Sequence, residues 1–248
     1  MTSPLNQRTS TVLLDVEGTT TPIDFVYKVL FPFALAHAEQ FLKDHISAPD
    51  VLADLEALRQ EHIVDAQQNP GPPVFRTETP TVQIQSALSY MEWLTARDRK
   101  SPPLKSLQGK IWEAGYRSGQ LRAEVFPDVP VALQRWQQQG KMICIFSSGS
   151  VLAQKLLFAH STAGDLSHLI SGYFDTGTGS KTDAKSYQKI ADAVQAEPAE
   201  SVFISDVTAE LDAAKSAGFR TLLSIRPGNR PQPASSHPVV RSFDEVAF

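Results

Sequence analysis

The sequence predicts an α/β protein in which a doubly wound parallel sheet carries an inserted helical domain. Strand-like and helix-like segments alternate after about residue 120, a pattern typical of parallel sheets covered by helices. Before that region, a block of roughly 95 residues, a plausible domain size, shows helical spacing and few strand signals. We therefore predict an α/β core from residues 1–24 and 121–248, interrupted by a helical domain at residues 25–120.

The first strand and the helical block account for the amino-terminal half. Residues 11–14 are apolar and β-prone, and they stop at a polar loop that begins with Asp15. Three further helices are predicted at residues 51–64, 82–96 and 105–118, and a Pro-rich breaker at residues 69–73 separates the first two. Helical spacing places the following side chains on one face: Val29, Leu30, Phe33, Ala34, His37 and Phe41.

The carboxyl-terminal half alternates between the two kinds of element. Apolar periodicity predicts strands at residues 142–146, 201–205 and 221–225, and helices at residues 131–139, 151–160 and 208–217. Residues 226–237 are rich in Pro, Ser and Asn and predict an irregular surface segment. Ligands bind beyond the carboxyl ends of such strands, so the residues that follow them are the first candidates for a site.

Composition excludes several classes of protein. The chain has 248 residues, 42% of them hydrophobic, and a formal net charge of -4, without the basic footprint of a nucleic-acid-binding protein. Cys144 is the single cysteine, so no intramolecular disulfide forms. No apolar segment approaches the roughly 18 residues of a membrane span. Because residues 1–10 do not resemble a signal peptide, we expect a cytoplasmic protein, and the lack of heptads favours a monomer.

Side chains that carry chemistry follow three predicted strands and one loop. Asp15 and Glu17 come directly after the first strand, where two carboxylates could hold a hard cation, attack an electrophile or transfer a proton. Ser147 and Ser148 precede a predicted helix, where hydroxyls and free amides form an anion site. The ordinary alternatives are a solvated acidic turn and an N-cap cluster in which Ser150 is the cap.

The remaining candidates lie in the last third of the chain. Lys181 follows a Gly-rich polar loop and could neutralise a phosphate oxygen, with Lys185 as its competitor. Asp206 ends a strand and is a candidate metal ligand facing Asp15, although Asp206 or Thr208 could instead cap the next helix. Two acids on that helix, Glu210 and Asp212, could contribute to the site, although acids on a helix surface usually face water.

The ordered set of an Asp-x-Glu pair, a serine, a lysine and an acid resembles the four motifs of the haloacid dehalogenase superfamily. Glu17 stands where most of its phosphatases have a second aspartate. The segment from Leu14 to Ile23 is similar to the enolase-phosphatase, or acireductone synthase, branch of methionine salvage, and other segments agree from about residue 11 to residue 229. These segments include Phe146-Ser147-Ser148-Gly149-Ser150, Ser205-Asp206-Val207-Thr208 and Arg226-Pro227-Gly228-Asn229.

The resemblance implies a role for each motif residue. Asp15 would be the nucleophile and a ligand of one Mg²⁺ per chain, together with Asp206. Glu17 would hold the metal through its side chain or its backbone carbonyl and serve as an acid or base. Ser147, Ser148 and Lys181 would bind the substrate phosphate. The helical block would be a cap over a catalytic α/β core.

The implied reaction converts 2,3-diketo-5-methylthiopentyl-1-phosphate into the acireductone 1,2-dihydroxy-3-keto-5-methylthiopentene and phosphate, through an aspartyl-phosphate. Three alternatives stay open from the residues alone. The first is a plain phosphatase of the same superfamily, the second a dehalogenase, and the third a non-catalytic metal-binding or phosphate-binding module. The identity of the base that removes the proton in the enolase step does not follow from the sequence.

Overall fold

The computed structural model describes residues 8–68 and 70–248, and the chain divides into two compact units. One unit combines the described part of residues 1–26 with residues 122–248, and the other is formed by residues 27–121. In the described residues, no helix is long and apolar enough to cross a membrane.

The first unit is built on a parallel sheet of six strands. In space the strands follow the order β3-β2-β1-β4-β5-β6, and every neighbouring pair is parallel, which confirms the predicted doubly wound sheet. The two edge strands, β3 and β6, are only three and two residues long and were not predicted from the sequence. The strands are β1 Thr11–Leu14, β2 Met142–Phe146, β3 Gly172–Phe174, β4 Ser201–Ser205, β5 Arg220–Ser224 and β6 Val239–Val240.

Helices connect the strands and form the second unit. In the first unit they are α1 Ile23–Phe25, α6 Val129–Gln138, α7 Val151–Ala159, α8 Ala184–Ala193 and α9 Thr208–Ser216. Those of the second unit are α2 Phe31–His45, α3 Pro49–Asp65, α4 Pro80–Thr95 and α5 Pro102–Arg117, and a π-helical turn at Val26–Leu30 lies between α1 and α2.

Apolar side chains cover both faces of the sheet. Leu13 and Phe203 point to one face, where they pack with Tyr187 of α8 and Leu211 of α9 in one buried cluster. Successive side chains of a strand point to opposite faces, and the intervening residue Val12 is also fully buried. A sheet that is buried on both faces exposes its loops only at the strand ends, which is where the candidate residues lie.

In the second unit, the buried side of α2 agrees only in part with the predicted face. Leu30 and Ala34 are buried as predicted, Ala38 and Leu42 are buried although they were not predicted, and Val29 is 37% exposed. Because the π-helical turn at Val26–Leu30 inserts an extra residue into the helical turn, a period counted through it is displaced.

The second unit also contains a small buried polar cluster around Asp65, which we call the Asp65 cluster. Asp65 is 1% exposed, and its carboxylate accepts hydrogen bonds from the Tyr90 hydroxyl (2.8 Å), the Arg99 guanidinium (2.7 Å) and the Gln68 amide (2.9 Å). The carboxylate therefore has a donor for each of its oxygens, and this side of the helix bundle is held together by complete hydrogen bonding.

Candidate active site

The candidate residues gather at the carboxyl edge of β1, β2 and β4. Leu14 pairs with Ile145 of β2 and with Ile204 of β4, so the residues that follow the three strands lie at one level. The chain leaves β1 for β2 on one side and later returns to β4 on the other. This arrangement makes the end of β1 the switch point at which open parallel sheets bind their ligands.

The loop after β1 is shaped by its own backbone. The carbonyl oxygen of Val16 accepts hydrogen bonds from the amides of Thr19, Thr20 and Thr21, at 3.0–3.2 Å. Gly18 has a φ of +73°, and a β-carbon there would come within 2.5 Å of a carboxylate oxygen of Asp206. Only glycine fits this position, because it tolerates the left-handed conformation and lets the loop approach the acid closely.

Asp15 is buried at the centre of the site and pairs with Lys181. The two side chains are 3% and 9% exposed, and Lys181 Nζ lies 2.5 Å from Asp15 Oδ1 and 2.7 Å from Glu210 Oε2. The Ser205 hydroxyl donates to Glu210 at 2.9 Å and lies 3.4 Å from Asp15 Oδ2. Asp15, the candidate nucleophile, is thus paired with the ammonium group of Lys181, which Glu210 also contacts.

Local structure explains why Lys181 enters the site while Lys185 does not. The Tyr187 hydroxyl donates to the Lys181 carbonyl at 2.7 Å, which fixes the backbone before α8. Asp183 caps α8 by accepting a hydrogen bond from the amide of Lys185, whose side chain is exposed. Lys181 is therefore the lysine with the required position.

Glu17 and Ser147 meet next to this pair. The Ser147 hydroxyl lies 3.2 Å from a carboxylate oxygen of Glu17 and accepts a hydrogen bond from the Gly149 amide at 3.0 Å. Ser148 follows in the same loop and is half-buried. Ser150 caps α7, as predicted, by accepting from the amide of Ala153 at 3.2 Å.

Asp206 follows β4 and is 5% exposed. The alternative in which Asp206 or Thr208 caps α9 does not hold, because the N-cap residue is Val207 and its side chain makes no capping hydrogen bond. The Thr208 amide instead donates to the side chain of Gln232, at 3.2 Å. The Asp206 carboxylate is thereby left directed at Gly18, in the loop that carries Asp15.

Four buried or half-buried carboxylates share the site with Lys181, and we call this set the acidic site cluster: Asp15, Glu17, Asp206 and Glu210. Burial, together with the nearby charge of Asp15, raises the pKa of Asp206 and of Glu210 to about 7. Burial and Asp15 likewise raise the pKa of Glu17. Burial lowers the Lys181 pKa, but the surrounding carboxylates outweigh that effect and raise it above its usual value.

Glu210 was not among the predicted site residues, although a contribution from it or from Asp212 was left open. Its side chain is 12% exposed and contacts Lys181, whereas the side chain of Asp212 on the same helix is 74% exposed. Glu210 lies in the first turn of α9, directly after β4, and first-turn side chains can point back to the strand ends. The position of Glu210 in the first turn of α9 could therefore have indicated that it belongs to the site.

Comparison with known proteins identifies the class to which this fold and site belong. Residues 9–218 match the haloacid dehalogenase-like hydrolase family. The chain therefore belongs to the haloacid dehalogenase-like hydrolases.

Within that class, the chain is similar over most of its length to proteins named enolase-phosphatase. Enolase-phosphatase E1 of Synechococcus elongatus is 50% identical over 98% of this chain and 100% of its own length. Enolase-phosphatase E1 of Pseudomonas syringae pv. tomato is 45% identical over 88% of this chain and 89% of its own. The crystal structure of the UTR4 protein of Saccharomyces cerevisiae is 36% identical and covers 96% of this chain and 99% of its own, with a TM-score of 0.76. The branch of the family is thus the enolase-phosphatases.

Proposed function

We propose that this site carries out both steps of an enolase-phosphatase reaction, with Asp15 as the nucleophile. The substrate is 2,3-diketo-5-methylthiopentyl-1-phosphate, and the products are 1,2-dihydroxy-3-keto-5-methylthiopentene and phosphate. The observation that supports this most strongly is the buried Asp15–Lys181 pair, in a chain half identical to an enolase-phosphatase over its full length. Phosphate monoesters hydrolyse so slowly without a catalyst that such a site must supply large stabilisation.

In the phosphatase step, a carboxylate oxygen of Asp15 attacks phosphorus. The bond from phosphorus to the ester oxygen breaks, the oxygen leaves with the enol, and an aspartyl-phosphate remains on the chain. Water then attacks the phosphorus of that acyl phosphate and restores the carboxylate. Lys181, 2.5 Å from Asp15, balances the negative charge of the transferring group.

Ser147 and Ser148 receive the phosphate in this proposal. Both lie between the end of β2 and the amino terminus of α7, where free backbone amides and hydroxyls favour an anion. Asp175 and Gln154 steady this loop, because Asp175 accepts from the Val151 amide at 3.2 Å and Gln154 donates to the Gly149 carbonyl at 2.8 Å.

In the enolase step, Glu17 removes a proton from the carbon that bears the phosphate ester. The electrons of the broken C–H bond form a double bond to the neighbouring carbonyl carbon, and Glu17 returns the proton to the oxygen of that carbonyl, which gives the enol phosphate. This role is supported by the position of its carboxylate, 3.2 Å from the hydroxyl of the phosphate-binding candidate Ser147. Burial and the charge of Asp15 raise the Glu17 pKa above its ordinary value, which makes the carboxylate a stronger base than a solvated glutamate.

The site chemistry fits one Mg²⁺ per chain. Asp15 and Asp206 are oxygen donors, 2% and 5% exposed, and their mutual repulsion is what a divalent cation relieves. Among the described residues, no three His, Cys, Asp or Glu side chains form a ready metal shell. Two carboxylates and an oxygen of Glu17 suffice, since Mg²⁺ keeps several waters. When bound, the ion would neutralise charge on the phosphoryl group.

The direct test follows phosphate release and the near-ultraviolet absorbance of the enol together, on the diketone phosphate with Mg²⁺ and with Asp15→Asn as the control. We expect both products only with Mg²⁺ and an intact Asp15. A generic phosphomonoester cleaved in preference to the diketone would instead favour the plain phosphatase. Phosphate release that Asp15→Asn leaves unchanged would contradict the assignment of the nucleophile.

Several features of the proposal concern the whole protein. The unit formed by residues 27–121 serves as the cap of the catalytic core formed by residues 1–26 and 122–248. The protein acts as a cytoplasmic monomer on a small phosphorylated diketone, without nucleic-acid or membrane partners. These statements stay predictions, and the oligomeric state is accessible by sedimentation of the purified chain.

A further inference from the structure

Asn229, in the irregular segment after β5, reaches back to the loop that carries Asp15. Its side-chain nitrogen donates to the carbonyl oxygen of Gly18 at 3.0 Å and to that of Ser224 at 3.2 Å. As predicted, the segment is irregular and mostly exposed, but its end residues Arg226 and His237 are buried, and so is the Asn229 side-chain oxygen. The segment is thus anchored at both ends and at Asn229.

Hydrogen bonding fixes the orientation of this amide. Two carbonyl oxygens accept from its nitrogen, and a carbonyl accepts but cannot donate, so the NH₂ group must face them. The Oδ1 atom therefore points the other way. It is buried and has no hydrogen-bond partner among the described residues. A buried acceptor without a donor is costly, and its retention calls for an explanation.

The unpartnered oxygen points to the side of the site on which Asp206 lies. A β-carbon built on Gly18 would lie 2.8 Å from Asn229 Oδ1 and 2.5 Å from Asp206 Oδ2. The two oxygens therefore flank the same glycine, and both are acceptors. The group that would satisfy them must carry hydrogens, and a water molecule of a hydrated divalent cation presents two strongly polarised ones.

We propose that Asn229 is a positioning residue of the magnesium site, with a separate task for each end of its amide. The nitrogen holds the Gly18 carbonyl and so fixes the loop of Asp15. The oxygen accepts a hydrogen bond from a water molecule of the cation that Asp206 holds. The inference rests on the proposed function, since it presumes that Mg²⁺ binds at this site.

Ser224 provides a matched control. Its hydroxyl donates to the same Gly18 carbonyl at 3.2 Å, and it is 2% exposed. Ser224→Ala removes one support of the loop and leaves the Asn229 oxygen in place. If Asn229 does nothing more than hold the loop, Asn229→Ala and Ser224→Ala should have similar effects on magnesium binding.

The experiment measures thermal unfolding of the full chain without substrate across a titration of MgCl₂. Outer-shell partners of a metal change its affinity by roughly 10–100-fold. We expect Asn229→Ala to raise the half-saturating magnesium concentration by about tenfold or more. Ser224→Ala should leave it within about twofold. Asn229→Asp, which keeps an oxygen at Oδ1, should bind magnesium more tightly than Asn229→Ala even where its metal-free form melts earlier.

The outcomes separate the inference from the function on which it rests. Equal half-saturating concentrations for wild type and Asn229→Ala, in a chain that magnesium stabilises, would overturn the role of Asn229 alone. A wild-type chain without any response to magnesium would overturn both. If Asn229→Ala does not fold, Asn229→Ser replaces it, because its hydroxyl can restore a donor to Gly18 but places no oxygen at Oδ1, and the same weakening is expected.

Discussion

The Asp65 cluster and the acidic site cluster both contain buried carboxylates, but they differ in how those carboxylates are balanced by hydrogen-bond donors and positive charge. In the Asp65 cluster, one carboxylate accepts from three donors, and each of its oxygens is satisfied. In the acidic site cluster, four carboxylates surround Lys181, and burial together with Asp15 raises the pKa of Asp206 and of Glu210 to about 7. The first cluster is balanced and stabilises the helices, whereas the second carries an excess of negative charge.

The difference shows how a structural cluster is distinguished from a functional one. A buried charge without a partner costs stability, so folding alone selects clusters in which donors match acceptors. An imbalance that persists in a folded protein is typical of a site that binds a missing charge. In the acidic site cluster, the missing charge is positive, as the magnesium proposal requires.

The largest effect is expected when Asp15 of the acidic site cluster is replaced. Asp15→Asn should lower the turnover of the diketone phosphate by about 10⁴-fold, as the loss of a nucleophilic-catalysis residue does. The fold should persist, because Lys181 keeps its contact with Glu210. Steady-state kinetics with circular dichroism of both proteins make the measurement. A loss of less than tenfold would show that another group attacks phosphorus.

The second prediction concerns the balanced cluster. Asp65→Ala should lower the free energy of unfolding by about 2–4 kcal/mol, because it leaves the buried Tyr90 hydroxyl without its acceptor and Arg99 without its ion-pair partner. Urea denaturation measures the change. If the stability were unaltered, the Asp65 cluster would not be the structural element that its complete hydrogen bonding indicates.

The third prediction uses the sign of the pKa shifts in the acidic site cluster. Glu210 binds its proton more tightly in the folded chain than in the unfolded one, where its ordinary pKa is 4.5. Its contribution to stability is therefore complete below about pH 4.5 and is lost as the pH rises through about 7. In metal-free buffer, Glu210→Gln should remove that loss and be more stable than wild type at pH 8 by about 1–3 kcal/mol.

Urea denaturation in EDTA at several pH values between 4 and 8 tests this difference. The two proteins should converge at the acid end, where Glu210 is protonated. A wild-type chain that is more stable than Glu210→Gln at pH 8 would mean that the ion pair with Lys181 outweighs the burial of the acid.

The smallest effect is expected for an exposed pair of the same charges. Glu39 and Lys43 lie on the surface of α2 at 2.7 Å, with side chains about half exposed. Water and salt screen such pairs, so Glu39→Gln should not resolvably shift the urea midpoint at pH 7. A clear shift would weaken the argument that burial, rather than contact alone, distinguishes the two clusters.

The sequence predicted the sheet core better than its edges. β2 and β4 have the predicted bounds because each is a continuous apolar run. β3 has only three residues, all half-buried, and they do not form an apolar run from which a strand could be predicted. α8 was missed, although Tyr187, Ile190 and Ala191 on its buried side follow helical spacing.

The site was predictable where a residue follows a strand directly. Asp15, Ser147 and Asp206 fit that rule, and parallel strands bring their carboxyl ends together. Glu210 and Asn229 do not fit it. The contact of Asn229 with Gly18 joins residues 211 positions apart, and no local pattern in the sequence encodes such a pairing. Contacts of that range depend on the packing of the whole unit.

The most direct test of the central claim is to trap the aspartyl-phosphate. The protein is denatured during turnover of the diketone phosphate with Mg²⁺, treated with borohydride to reduce any acyl phosphate to an alcohol, and digested for peptide mass spectrometry. The account predicts that position 15 is converted from aspartate to homoserine in the reacting sample and not in the sample without substrate. Reduction at Asp206 or Glu17 instead, or at no carboxylate during active turnover, would contradict it.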